Sequence, residues 1–261
     1  LLIAADGLHS PIRSWAGLNG PPSKLKRWGL RQHYQITPWT NLVEVYWSKD
    51  MEAYVTPVSP NTVGVAVLSR RELISSWQKP ISLKETVQVF SNLGQKLLLS
   101  EAKDQLIGIG PLHQTVKRTG TGKVVLVGDA AGYLDAITGE GISNAMEQAL
   151  LVDRILEKQK EKPRLDELVF DYSNQLPALM RSYYWLTGLT LLLHRRPSLV
   201  NQVVKVFQKT PWLFNYLLHL NSARSFSEAA SHPLQIHGRK HGSELLKAFI
   251  RRSIGEIRKK S

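Results

Sequence analysis

The spacing of apolar residues changes character along the chain, and each change predicts a different element. Leu1-Leu2-Ile3-Ala4-Ala5 is a continuous apolar run, which predicts the interior of a buried strand. Ser10 to Leu18 predicts a short helix, interrupted by Gly17, Gly20, Pro21 and Pro22. From Trp28 to Ser69 the period becomes two. Val43, Val45 and Trp47 alternate with Leu42, Glu44 and Tyr46; Met51, Ala53 and Val55 alternate with Glu52, Tyr54 and Thr56; Val63, Val65 and Val67 share one face. Ser59-Pro60-Asn61 is turn chemistry between two such runs, so a hairpin and an antiparallel sheet are predicted. Ser82-Leu-Lys-Glu85 is a capping-box pattern opening a helix through Leu93, and Ile107 to Val116 returns as a strand.

The most informative segment follows. Val124 to Val127 reads as a buried strand, and Gly128-Asp129 places a carboxylate at its C-terminal end. After a glycine-bearing loop, Ile142, Ala145, Met146, Ala149, Val152 and Leu156 fall at helical spacing. In open α/β sheets, ligands sit beyond the carboxyl ends of strands, where helix N-termini present free N–H groups. Beyond Lys158 the pattern is helical: Leu165–Arg181, Tyr183–Arg195, Ser198–Gln208 and, with Thr210 as N-cap and Pro211 in first position, Trp212–Leu220. The aromatics of this region are expected to pack helices together. Ser243 to Lys260 carries Leu246, Phe249, Ile250, Ile254 and Ile257 on one side and Lys247, Arg251, Arg252 and Arg258 elsewhere, a basic amphipathic helix.

Composition narrows the classes. The 261 residues suffice for a substantial core, and 43% hydrophobic with 21% charged is ordinary for a globular protein. The absence of cysteine excludes disulfides, thiolate metal sites and a cysteine nucleophile, in keeping with a cytoplasmic setting. The longest apolar run, Trp185 to Leu193, is too short to span a membrane. Net charge is +13, and His237 to Ser261 alone holds eight Lys/Arg against two Glu. That tail reads as a solvated segment or as a peripheral membrane contact. No nucleic-acid module is visible. His9, His33 and His113 lack metal-ligand spacing, and no Ser-His-Asp or paired-carboxylate constellation stands out.

Two motifs together carry a family resemblance. Gly128-Asp129-Ala-Ala-Gly132 with Thr138-Gly139-Glu140-Gly141-Ile142 resembles the second FAD fingerprint of a flavoprotein superfamily. Its members include p-hydroxybenzoate hydroxylase-type monooxygenases and geranylgeranyl reductases. Ala5-Asp6-Gly7-Leu8-His9-Ser10-Pro11-Ile12-Arg13 is similar to the family's Asp-Gly-x-x-Ser-x-x-Arg element. Many hydroxylases carry Pro where this chain has Ala136 and His where it has Gly132, so the match is nearer to the reductase branch. The family's Gly-x-Gly-x-x-Gly is not found in the chain, which suggests a C-terminal fragment of a longer flavoprotein, inactive when isolated.

The resemblance implies an α/β fold with some α+β character: an incomplete FAD-binding domain, an inserted antiparallel substrate sheet and a helical C-terminal region. Residues 1–27 and 116–160 would form the FAD domain, 28–115 the substrate sheet and helix, 161–222 the C-terminal helices and 223–261 the basic tail. It implies FAD as cofactor, held by Asp6, Gly7, Ser10, Arg13, Gly128, Asp129, Gly139, Glu140, Gly141 and Ile142, with Asp129 on a ribityl hydroxyl. NAD(P)H is the expected electron donor. Ser10 is equally suited to cap a helix, and Arg13 to meet a phosphate or Asp6. The expected activity is hydride transfer through flavin to a small hydrophobic substrate, with monooxygenation as the alternative. A rival of another class is a non-catalytic, basic membrane- or partner-binding protein on a relic flavin scaffold.

Overall fold

The computed structural model describes residues 1–48, 50–70, 82–159 and 164–215. The basic helix expected from Ser243 to Lys260 lies outside the described residues, as do the tail around it and the end of the helix expected to reach Leu220. The chain divides into two units, Leu1–Val200 and Asn201–Ser261. All site residues belong to the first.

Two sheets organise that unit. In the smaller, β1 (Leu2–Ala4) runs parallel to β9 (Val124–Leu126), and β8 (Gly120–Thr121) joins the far side of β9. The larger has the order β3 (Glu44–Trp47), β4 (Met51–Ser59), β5 (Thr62–Arg70), β2 (Arg27–Gln35), β6 (Glu101–Ala102), with β7 (Ile107–Ile109) also paired to β2. Every pairing in it is antiparallel. The fold class is therefore α/β, with an antiparallel sheet inserted between the two parallel strands.

Alternation built the larger sheet as expected. Met51, Ala53, Val55, Val63, Val65 and Val67 are buried against Leu83, Val87, Phe90, Leu93 and Leu97. Each buried valine contributes roughly 1.5–2 kcal/mol. The opposite face is not simply solvated: Glu52, on the polar side of the β4 alternation, is fully buried.

The capping serine is real, since Ser82 Oγ accepts the Glu85 N–H at 3.3 Å. A single helix through Leu93 does not form. Instead α2 (Leu83–Thr86) passes into a 3-10 turn (Val87–Val89), and α3 (Ser91–Leu97) restarts after Phe90 turns into the core. The strand expected from Ile107 to Val116 ends at Ile109. Gly110 lies on the Trp28 ring, where a Cβ would stand 2.6 Å from an indole carbon, and Pro111 offers no N–H.

The second core surrounds the small sheet: Val125, Leu126 and Val127 pack with Leu151, Val152 and Ile155 of α4 (Gly141–Lys158) and Leu168, Tyr172 and Leu176 of α5 (Leu165–Leu179). Two expectations need correction here. β1 is not a buried strand: Leu1, Leu2 and Ile3 are exposed and only Ala4 is buried, because among the described residues only Ala4 is packed into the core around the small sheet. The apolar stripe of α4 is not its core face in the first turns. Ile142 and Met146 are 76% and 63% exposed, while polar Asn144 and Gln148 point inward.

Helix α6 (Arg181–His194) follows, then α7 (Pro197–Lys209). The helical aromatics divide: Tyr183 is buried, whereas Tyr184 and Trp185 are exposed. In the second unit, residues 211–215 are helical and the Phe207 and Phe214 rings lie 5.4 Å apart. No helix among the described residues is long and apolar enough to cross a membrane.

Candidate functional site

The first motif folds onto itself. Asp6 accepts the Ser10 hydroxyl at 2.5 Å and the Ile12 N–H at 3.0 Å. Partial burial pushes the Asp6 pKa up, but the Ser10 and Ile12 hydrogen bonds outweigh it and hold it below the usual carboxylate value. Ser10 caps α1 (Pro11–Trp15): its hydroxyl accepts the Arg13 N–H at 2.9 Å, with Pro11 in first position. The buried Arg13 guanidinium then donates to the carbonyls of Leu8 (2.8 Å), Ala130 (3.1 Å) and Asp129 (3.4 Å) and to the side chains of Asn19 (2.8 Å) and Gln114 (3.4 Å). The Arg13 guanidinium thus spends its hydrogen bonds on these groups and feels the Asp6 carboxylate through its charge alone. It bolts the first motif to the backbone of the second.

The second motif opens outward. After β9 a 3-10 turn (Gly128–Ala131) swings the chain so that Asp129 faces a cleft of about 710 Å³. Gly7, Tyr133, Gly139, Gly141, Ile142 and Met146 share its walls. Burial pushes the Asp129 carboxyl pKa up, and among the described residues no side chain or backbone N–H donates to it. Gly139 adopts φ +70° in a turn closed by its N–H to Ala136 O at 3.0 Å, and a Cβ there would enter open space. Gly141 then starts the 18-residue α4, where no side chain caps the helix. Its first N–H groups have no intrahelical partners, and the helix dipole makes that end attractive to negative charge. Glu140 sits at the N-cap position, buried, with its carbonyl accepting Asn144 N–H at 3.0 Å.

Residues outside the motifs hold this shape. Gln148 Oε1 accepts the Gly128 N–H at 2.8 Å and lies 3.3 Å from the Tyr172 hydroxyl. This is why a polar residue occupies the core face of α4. The Tyr183 hydroxyl lies against the backbone of Leu134 and Asp135 at 3.3–3.5 Å. From the large sheet, Tyr54 donates to Ile137 O at 2.8 Å, and Leu8, Leu68 and Leu112 pack with Tyr54, Tyr133 and Ala136. Sheet and loop thus meet in an apolar seam beside the cleft. A buried charged group adjoins it: Arg27 bonds Glu52 and Asp135, and His194 faces Glu52. None of Arg27, Glu52, Tyr54, Asp135, Gln148 and His194 was marked by a motif. The one available signal was Glu52, an ionisable residue amid apolar ones in a strand.

These features suit a dinucleotide-linked isoalloxazine: an unmatched carboxylate for a ribityl hydroxyl, open space over a glycine, and a helix N-terminus for an electron-rich ring edge. The family described as FAD binding domain matches residues 1–175. The chain belongs to that family. Among curated relatives of this FAD-binding chain, the digeranylgeranylglycerophospholipid reductase of Methanococcus vannielii is 26% identical over 186 residues, covering 67% of this chain and 45% of the relative. Digeranylgeranylglycerophospholipid reductase 2 of Methanococcoides burtonii is 27% identical over 170 residues, covering 62% and 40%. The chain spans less than half the length of these relatives. Among solved structures, a triple mutant of a flavin-dependent brominase superposes with TM-score 0.73 at 14% identity, over 99% of this chain and 62% of that one. A probable FAD-dependent monooxygenase from Pseudomonas aeruginosa gives 0.61 at 16% identity, over 78% and 59%. These two likenesses show the fold.

Proposed function

We propose that this FAD-binding chain forms the flavin-facing part of an oxidoreductase that reduces a double bond in an isoprenoid-like, hydrophobic substrate. The observation that carries the reading is the cleft shared by the Asp129 carboxylate and the N-terminus of α4, with the apolar seam of Leu8, Leu68, Leu112, Tyr54 and Tyr133 beside it. The reductase names of the relatives support the substrate class.

FAD, when bound, supplies the two-electron redox chemistry; the protein's task is to hold and polarise it. Asp129 would accept a ribityl hydroxyl. The backbone N–H groups of Gly141 and Ile142 would face the edge of the ring that becomes negative on reduction. The seam excludes water from the substrate side, and Tyr54 keeps the loop closed against the sheet through Ile137. NAD(P)H as electron donor belongs to the same proposal.

Titrating the chain with FAD while following flavin fluorescence tests this reading. Saturable binding is expected. Its absence up to concentrations on the order of millimolar, where even weak specific sites fill, overturns the proposal. Saturation of an isoprenoid double bond by the flavin-loaded protein supports reduction, and an oxygenated product contradicts it.

A further inference from the structure

Four ionisable side chains from four separate elements meet where the sheet touches the loop. Arg27 begins β2, Glu52 lies on β4, Asp135 precedes the Gly139 turn and His194 ends α6. Arg27 Nη2 bonds Glu52 Oε1, Arg27 Nε lies 2.9 Å from Asp135 Oδ2, and His194 Nε2 lies 3.2 Å from Glu52 Oε2. All four are buried. The Trp47 ring stands edge-on to the His194 imidazole at 5.5 Å, and neither Glu52 Oε2 nor His194 Nδ1 has a hydrogen-bond partner among the described residues. Asp135 Oδ1 also accepts the Ile137 N–H at 3.1 Å, inside the loop that leads to the N-terminus of α4.

We propose that Arg27, Glu52, Asp135 and His194 are positioning residues forming one buried site, in which the facing Glu52 and His194 together hold one proton, that fastens the loop from Asp135 to Gly141 to the sheet. It rests on the function proposed above only in calling that loop flavin-facing.

Charge balance supports it. Arg27 offsets one carboxylate, Asp135. A second buried carboxylate without a proton nearby would leave an uncompensated negative charge, which is costly in a desolvated site. The Glu52–His194 contact relieves this, since a proton on either partner makes the pair neutral overall. Burial pushes the Glu52 pKa up to about 7 despite Arg27, with Asp135 raising it further. Burial and the Arg27 charge push His194 down to about 4. Asp135 is also raised by burial, against the pull of Arg27 and His113. The other charged groups acting on His194 are Asp50, Arg195 and Arg70, and the Tyr54 hydroxyl adjoins Glu52 and Asp135. These opposite shifts favour the carboxyl as holder of the pair's proton in the folded chain and the imidazole in the unfolded one.

The sign of each contribution follows. Glu52, raised from 4.5 to about 7, stabilises below 4.5, and that contribution is lost as pH rises through 7. His194, lowered from 6.5 to about 4, stabilises above 6.5, and that contribution is lost as pH falls through 4. Between 4.5 and 6.5 folded and unfolded chains each hold one proton here, so the two slopes cancel. Removing either group uncovers the other's slope.

The test is urea unfolding of the full chain, its Glu52→Gln and its His194→Gln variants between about pH 4 and 8, read as each variant's stability relative to wild type. The difference for Glu52→Gln should become more unfavourable as pH falls from about 7 to 4.5, and that for His194→Gln as pH rises from about 4 to 6.5. Opposite slopes support the site; differences independent of pH mean an ion cluster whose Glu52–His194 pair holds no proton and overturn it. If a variant does not fold, NMR of wild type decides. Glu52 should lose its proton near pH 7 while His194 stays neutral from 6.5 down toward 4, and the amide signals from Ile137 to Ile142 should move with the Glu52 step. Glu52 titrating near 4.5, or loop amides indifferent to its step, overturns the proposal. No flavin is present in either measurement, so failure to bind FAD counts only against the proposed function.

Discussion

The two motifs differ in what their polar groups face. In the Asp6–Arg13 segment every singled-out polar side chain is engaged within the protein: Asp6 on Ser10 and Ile12, Ser10 on Arg13, Arg13 on five acceptors. In the Gly128–Ile142 segment the Asp129 carboxylate and the first N–H groups of α4 face the cleft instead. The lesson is a division of labour between architecture and ligand, and it separates the expected phenotypes of the two segments.

The largest effect should come from Arg13→Ala. It strands the buried carbonyls of Leu8 and Ala130 and should lower stability by about 3 kcal/mol or more, read by urea unfolding. A loss below about 1 kcal/mol would mean the two motifs are held together by packing alone. Asp129→Ala should do the opposite kind of damage. Losing a charge-assisted hydrogen bond of roughly 1.5–3 kcal/mol weakens FAD binding about tenfold to a hundredfold. Stability should hold or rise slightly, because the carboxylate is already disfavoured by burial. Gln148→Leu sharpens the contrast: it orphans the Gly128 N–H, should cost about 1–3 kcal/mol, and should loosen the turn that aims Asp129. Ser10→Ala should cost about 1 kcal/mol through the lost cap, with flavin affinity unchanged in calorimetry.

The sequence displays local order well and long-range polar order poorly. The β4–β5 hairpin was legible because period-two alternation and turn chemistry are set by neighbours along the chain. The inward turn of Asn144 and Gln148 was not, since helical periodicity assumes an apolar core face. Here the Gly128 N–H, 20 positions away, needed an acceptor. The strand at Leu1–Ala5 looked buried by composition, but burial depends on what packs on the faces of the strand, and among the described residues only Ala4 joins a core there. The second motif lines the cleft, and from the first only Ala5 and Gly7 reach it. The meeting of Arg27, Glu52, Asp135 and His194 had no sequence signature, because it joins residues that only the inserted sheet and α6 bring together.

The central claim is that the cleft between Asp129 and the start of α4 receives the flavin ring. Parallel FAD titrations of wild type and Asp129→Ala, each first shown folded by circular dichroism, test it most directly. Saturable binding to wild type that weakens about tenfold or more in the variant is the predicted result. Equal affinity for both proteins, or no saturable binding to either, would contradict it.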